Sequence, residues 1–270
     1  MINLIKRVVP AVLTDSPAAL VSMLRCAEIF SDWVQIDITD GLFVPSISIT
    51  SKDIAGVGMK ISWEAHLMVQ DPEKYIEDFY LAGAKRLTIH YEAEKGGASD
   101  VIEHITSLGM GAGLAVNPET PVTVLNDSLV SRLESVLFLA VHPGFYGAKF
   151  MPEVLEKISL FRRLCPDVSI GIDGGIKASN ITRVAQSGVN EICVGSAIFA
   201  QPDTAASFVE LTSLALEGWE NKKIDYPTSR SNMASARALC AVMPNFSYST
   251  LPGADAPKWS MPIATPPSPI

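Results

Sequence analysis

Apolar strand-like runs and amphipathic helix-like runs alternate along this chain from Val8 to about Glu217, and that alternation leaves few folds open. The strand candidates are Val8 to Leu13, Trp33 to Ile38, Trp63 to Val69, Arg86 to His90, Ala112 to Val116, Ser135 to Val141, Ser169 to Asp173 and Glu191 to Val194. Helical periodicity is expected over Pro17 to Ile29, Pro72 to Leu81, Asp100 to Leu108, briefly near Pro121, then Pro152 to Leu164, Ser179 to Gln186 and Thr204 to Glu217, with a weaker signal over Ser51 to Val57. Gly83, Gly109 and Gly188 each stand between a helix and the next strand, where a left-handed residue can end the helix and turn the chain back. Eight such β–α units point to a closed parallel barrel, the (β/α)8 TIM-barrel class. A doubly wound sheet is the runner-up, but no G-x-G-x-x-G follows the first strand.

Past Asp225 the pattern stops. Eight of the chain's 18 prolines fall there among Ser, Thr and Ala, so residues 1–225 are expected to form the barrel and 226–270 a disordered tail. A net charge of −8 argues against nucleic acid or an anionic membrane as the main partner. It leaves room for a small anion, which backbone amides can hold locally. No apolar run reaches membrane-spanning length, and the first ten residues lack an apolar core of signal-peptide length. Cys26, Cys165, Cys193 and Cys240 show no metal-ligand or C-x-x-C spacing. Free thiols in a reducing cytoplasm are the expectation.

In a parallel barrel the chemistry collects at the C-terminal ends of the strands. Strand two, Val-Gln-Ile-Asp-Ile, puts Trp33, Gln35 and Asp37 on one face and Val34, Ile36 and Ile38 on the other. A carboxylate there must be hydrogen-bonded, paired or bound to a metal. Strand three places Glu64, His66 and Met68 on one face; strand four ends at His90, strand five at Asn117 and strand seven at Asp173. Each has a structural reading alone, but together they converge on one mouth. Two carboxylates and an imidazole fit a divalent metal such as Zn²⁺, Fe²⁺ or Mn²⁺. The same two carboxylates could instead stand on opposite sides of a substrate, one removing a proton beside a carbonyl and the other returning it. Three glycine-containing loops, at Gly144-Phe145-Tyr146-Gly147, Gly174-Gly175 and Gly195-Ser196, follow strands six, seven and eight. They form an anion site expected to hold a phosphorylated substrate.

The motifs Gln35-Ile-Asp-Ile-Thr-Asp-Gly-Leu-Phe-Val-Pro45, Glu64-Ala-His-Leu-Met-Val69, Gly113-Leu-Ala-Val-Asn-Pro-Glu-Thr-Pro121, Val141-His-Pro-Gly-Phe-Tyr-Gly147, Ile172-Asp-Gly-Gly-Ile176 and Val194-Gly-Ser-Ala-Ile-Phe199 together resemble the ribulose-phosphate 3-epimerase family. The resemblance spans nearly all of residues 8 to 217. It implies a metal-dependent barrel, often oligomeric, that interconverts ribulose 5-phosphate and xylulose 5-phosphate in the pentose phosphate pathway; a hexulose 6-phosphate is the alternative substrate. By the resemblance Asp37 and Asp173 are the acid–base pair, and Asp37, His66, Asp173 and Gln35 hold one divalent metal. His66 also meets the substrate, with Gly144, Phe145, Tyr146, Gly147, Gly174, Gly175, Gly195 and Ser196.

The chain departs from the family at Gln35, where a metal-binding histidine is usual, and at Ala11, where a serine is usual. Thr39 and Leu139 stand in place of methionines, and His142 and Tyr146 occupy loop positions that commonly hold other residues. These departures favour one competing reading, a sugar-phosphate-binding barrel without turnover. Decarboxylation is disfavoured, because related barrels place Asp-x-Lys-x-x-Asp on strand two and Thr39 takes the lysine's position.

Overall fold

A computed structural model describes residues 4–93, 98–143 and 149–221. The loop expectation over 144–147 and the tail expectation over 226–270 therefore lie outside the described residues. The strands are β1 (Arg7–Val12), β2 (Trp33–Thr39), β3 (Ser62–Met68), β4 (Arg86–His90), β5 (Gly111–Val116), β6 (Ser135–Leu139), β7 (Ser169–Asp173) and β8 (Glu191–Val194). Each pairs in parallel with the next, and β8 closes on β1 from Arg7↔Glu191 to Pro10↔Val194. The expected (β/α)8 barrel is thus observed.

The α-helices between them are α1 (Pro17–Ala27), α2 (Ser51–Ala55), α3 (Ile76–Leu81), α4 (Ser99–Ser107), α5 (Asp127–Val130), α6 (Val154–Leu164), α7 (Ile181–Gln186), α8 (Ser196–Phe199) and α9 (Thr204–Glu220). Local chemistry sets their ends. Ser16 Oγ accepts from the Ala19 amide at 3.3 Å to cap α1, whose first residue is Pro17. Asp203 Oδ1 caps α9 through the Ala206 amide at 2.9 Å. Gly83, Gly109 and Gly188 have φ of 95°, 81° and 113°, the left-handed conformation that closes their helices.

Period-two alternation divides the strand side chains between two cores. Val34, Ile36, Leu67, Leu87, Ile89, Val136, Phe138, Ile170, Ile172 and Ile192 belong to a large shell with the helices, where Phe79, Phe138 and Phe161 are fully buried. Each such side chain contributes roughly 1.5–3 kcal/mol relative to an exposed one. A second, small cluster of Val9, Ala11, Ala115, Leu137, Leu139 and Cys193 is contributed by strands β1, β5, β6 and β8. Small residues make that packing close: a Cβ on Gly113 would stand 2.2 Å from Thr88 Oγ1.

The N-terminal end of the barrel is filled by charge. Arg86 donates to both oxygens of Glu64 at 2.6 and 2.9 Å, to Glu191 at 2.5 Å and to Glu134 at 3.2 Å. Arg7 also holds Glu191. The Trp33 ring lies 4.3 Å below the Arg7 guanidinium and 5.2 Å from that of Arg86, a cation–π arrangement. Burial disfavours an ionised Glu64, but the Arg86 charge outweighs it and holds the Glu64 carboxyl below its ordinary range. Glu64 therefore shares a face with His66 and Met68 as expected but belongs to this ionic plug, because Arg86 stands directly opposite it in register.

Candidate active site

At the other end, β2, β3 and β7 bring Asp37, His66 and Asp173 together. Asp37 stands opposite His66 in register, and Asp173 ends β7 opposite Leu139. His66 Nδ1 lies 2.9 Å from Asp37 Oδ1 and 3.8 Å from Asp173 Oδ2. One ligand atom from each of the three falls within 4.8 Å of the others. A cluster of two carboxylate oxygens and one imidazole nitrogen suits a borderline divalent cation, so these three residues fit the expected metal.

Gln35 sits between the two aspartates. Its Nε2 donates to Asp37 Oδ1 at 2.8 Å and to Asp173 Oδ2 at 2.6 Å, while its Oε1 accepts from the Cys193 thiol at 3.0 Å. The expectation of Gln35 as a metal ligand does not match this orientation, because an amide nitrogen has no lone pair to offer a cation. An oxygen ligand would require the amide to turn by half a rotation about its last bond. As it stands, the amide spreads two N–H donors across carboxylates that would otherwise face each other unscreened.

The electrostatics follow from this crowding. Burial and the Asp37 charge push the Asp173 carboxyl up to about 7, against the opposing pull of His66 and the Gln35 amide. Burial opposes charge on His66, yet its hydrogen bond to Asp37 and the charges of Asp37, Asp173 and Glu64 raise its pKa overall. The Cys193 thiol is pushed up by burial, which keeps it a neutral donor to Gln35.

Behind His66 stands His90, whose Nε2 is 2.9 Å from His66 Nε2. Burial lowers His90 to about 4. The ring of Phe43 packs against it with centroids 4.8 Å apart. His90 Nδ1 faces Glu92 Oε2 at 3.3 Å. Glu92 Oε1 accepts from the Asn117 amide at 2.8 Å and from the Thr120 hydroxyl. Burial opposes charge on Glu92, but these hydrogen bonds outweigh it and hold its carboxyl below the ordinary range. Sequence reading reached His90 and Asn117 as strand-end residues but missed Glu92, which lies on the short 3-10 turn Tyr91–Ala93.

Asp37, His66 and Asp173 open into a cleft of about 390 Å³ that also meets Ala11, Met68, Leu139, Gly174, Gly175, Gly195 and Ser196. Of the expected substrate contacts, these four glycine-loop residues share the mouth with the aspartates, while 144–147 lie outside the described residues. Gly174 has φ of 107°, and a Cβ there would be 2.5 Å from Val141 Cγ2, so this turn next to Asp173 demands glycine. Gly195 and Ser196 begin α8 and do not form an open loop as expected. His142 is exposed and pairs with Glu119 at 2.9 Å. Thr39 Oγ1 is buried without a hydrogen-bond partner among the described residues.

A closed parallel barrel with a carboxylate–imidazole cluster and glycine turns at its C-terminal mouth has the layout of a barrel enzyme. Residues 7–199 match the ribulose-phosphate 3 epimerase family model. A ribulose-phosphate 3-epimerase of Synechocystis is 35% identical over 206 residues, covering 73% of this chain and 89% of the relative. The cytoplasmic isoform of the same enzyme from rice is 34% identical over 223 residues, covering 80% and 96%. Among solved structures, 3-hexulose-6-phosphate synthase from Salmonella typhimurium superposes with a TM-score of 0.60 at 16% identity, over 78% of this chain and 99% of that one; at that identity the likeness concerns the fold alone. The chain belongs to the ribulose-phosphate 3-epimerase family and is a sugar-phosphate epimerase. No helix among the described residues is long and apolar enough to cross a membrane.

Proposed function

We propose that this enzyme inverts C3 of ribulose 5-phosphate to give xylulose 5-phosphate, with Asp37 and Asp173 as the proton-transfer pair. The observation that carries the reading is the meeting of these two carboxylates, from strands three positions apart around the closed barrel, beside one cleft large enough for a sugar phosphate. One carboxylate takes the C3 proton from one face of the substrate, and the other returns a proton to the opposite face. In the reverse direction their roles exchange. Between the two transfers negative charge gathers on the carbonyl oxygen as an enediolate. His66 and the Gln35 amide place N–H donors beside the carboxylates and limit the repulsion that this charge would add.

Asp37, His66 and Asp173 are the residues that would hold a divalent cation, Zn²⁺, Fe²⁺ or Mn²⁺. When bound, such an ion supplies positive charge against which the developing oxyanion is stabilised. Gly174, Gly175, Gly195 and Ser196 line the part of the cleft where the phosphate would rest, on backbone amides after β7 and β8. A reducing cytoplasm is kept as the compartment, supported by the buried free thiol of Cys193.

The test is exchange of the C3 hydrogen of ribulose 5-phosphate in deuterated water, with elemental analysis of the purified protein. Asp37→Asn and Asp173→Asn should each lower exchange by at least about 10²–10⁴-fold, the range of general acid–base catalysis. Retained exchange in either variant would refute the pair. A chain that binds ribulose 5-phosphate without exchanging C3 would favour a binding barrel, to which the Gln35 and Ala11 departures already point.

A further inference from the structure

A second recess, of about 410 Å³, lies at the N-terminal end of the barrel, between the end of α2, the start of β3 and the turn from α3 into β4. Its size falls in the range of small-molecule sites. Ile54, Met59, Ile61 and Trp63 give it apolar walls, and Lys60, Ser62 and Lys85 supply its polar side chains. No acid lines it, in a chain with 29 acidic and 21 basic residues. Lys60 and Lys85 are exposed, and neither ammonium group has an ion pair or hydrogen bond among the described residues. Glu28, the carboxylate that Lys60 acts on at longer range, is already bonded through both oxygens to Arg25, at 2.8 and 2.9 Å. Both lysines stand beyond the last turns of α2 and α3, where the pull of a helix dipole has fallen off.

The walls are held from behind. Arg25 crosses from α1 to the carbonyls of Val57 and Gly58, at 2.6 and 3.5 Å, and Glu28 Oε1 accepts from the Lys60 amide at 2.9 Å. The Ser62 amide donates to the Asp32 carbonyl at 3.1 Å, and the Lys85 amide to the Trp63 carbonyl at 2.9 Å. The Trp63 ring packs edge-on against Phe79, with centroids 6.3 Å apart. A ligand would therefore meet a surface already in place, which lowers the ordering cost of binding. We propose that this recess is a second ligand site, for a phosphate monoester of an apolar, aromatic-sized alcohol. The phosphate would lie between the two ammonium groups, each a compact charge with three donors, and the apolar body against Ile54, Met59, Ile61 and Trp63.

The test is calorimetric titration of the full chain with 1-naphthyl phosphate, 1-naphthol and inorganic phosphate. The ¹H–¹⁵N indole resonance of Trp63, assigned by its loss in Trp63→Phe, locates the binding. None of these readouts depends on the substrate of the active site. 1-Naphthyl phosphate should bind with a Kd below about 1 mM and shift that resonance. Naphthol and inorganic phosphate, each offering half of the chemistry, should bind at least about 10-fold more weakly. Lys60→Glu combined with Lys85→Glu should weaken 1-naphthyl phosphate at least about 10-fold, with the circular dichroism spectrum unchanged. If that variant does not fold, the two lysines changed to glutamine should give a loss in the same direction. Absence of binding, affinity unaltered in the lysine variants, or a Trp63 resonance that stays in place would overturn the proposal. So would inorganic phosphate or naphthol binding as tightly as the ester.

Discussion

Replacing Arg86 with methionine should cost the barrel about 3–5 kcal/mol, the penalty for breaking a buried ion pair by removing one partner. Glu64 is 2% exposed and receives two of its three side-chain hydrogen bonds from Arg86; the third, from Thr88 at 3.1 Å, cannot compensate a full charge. Glu191 loses one partner but keeps Arg7, so most of the cost falls on Glu64. For a domain of this size the loss corresponds to a fall in Tm of roughly 6–20 °C.

The pH dependence gives the mechanism away. With Arg86 present the Glu64 carboxyl is held below its ordinary pKa, so its contribution is present above the unfolded pKa and is lost only as the solution becomes more acid. Without Arg86, burial, the largest influence on Glu64, is opposed only by the weaker pull of His66 and the Thr88 hydroxyl, and raises that pKa. The variant's penalty is then present at neutral pH and relieved as the pH falls toward the ordinary carboxylate value. The difference in Tm between the two proteins, followed by circular dichroism, should therefore shrink from about pH 7.5 to about pH 5. Removing both charges, in Arg86→Met with Glu64→Leu, should recover most of the stability. A difference that is small at neutral pH, or that does not shrink on acidification, would refute this account of the plug.

Lys157 should give a pH effect of the same sense in a more alkaline window. Burial lowers its pKa to about 8, so between there and the ordinary lysine value the unfolded chain binds more protons. Stability should rise with pH across that window by up to about 3 kcal/mol relative to Lys157→Met; parallel unfolding curves for the two proteins would contradict it. Gly174→Ala must place a Cβ 2.5 Å from Val141 Cγ2 at a φ of 107°. It should cost about 1–3 kcal/mol and, by moving the turn beside Asp173, lower turnover more than the binding of inorganic phosphate. Equal turnover in the variant would show that the turn can relax freely.

Much of this fold could be read from the chain because β/α alternation writes itself in hydrophobic period. The eight expected strands match those observed to within two residues at their ends, and β4, β7 and β8 match at both ends. Helices with fewer than two turns were less legible. α8, four residues after Gly195, is too short to show a period, and near Pro121 a 3-10 turn precedes α5, which starts at its Asn126 cap. The meeting of Asp37, His66 and Asp173 was legible because all three point inward near strand ends. The setting of the Gln35 amide was not: it depends on Cys193, 158 residues away, and no local pattern encodes which end of an amide faces a carboxylate. Glu64 was misplaced for a related reason. Face follows from alternation, but height in the barrel follows from register, and only Arg86 at the start of β4 marks the layer.

The ionic plug also determines traffic. With Arg7, Glu64, Arg86, Glu134 and Glu191 filling one end of the barrel, the cleft lined by the described residues opens at the other, C-terminal end. A reversible epimerase built this way must release its product through the opening by which the substrate entered. The two sugar phosphates then exclude each other at every turnover, and each should act as a competitive inhibitor of the other's conversion.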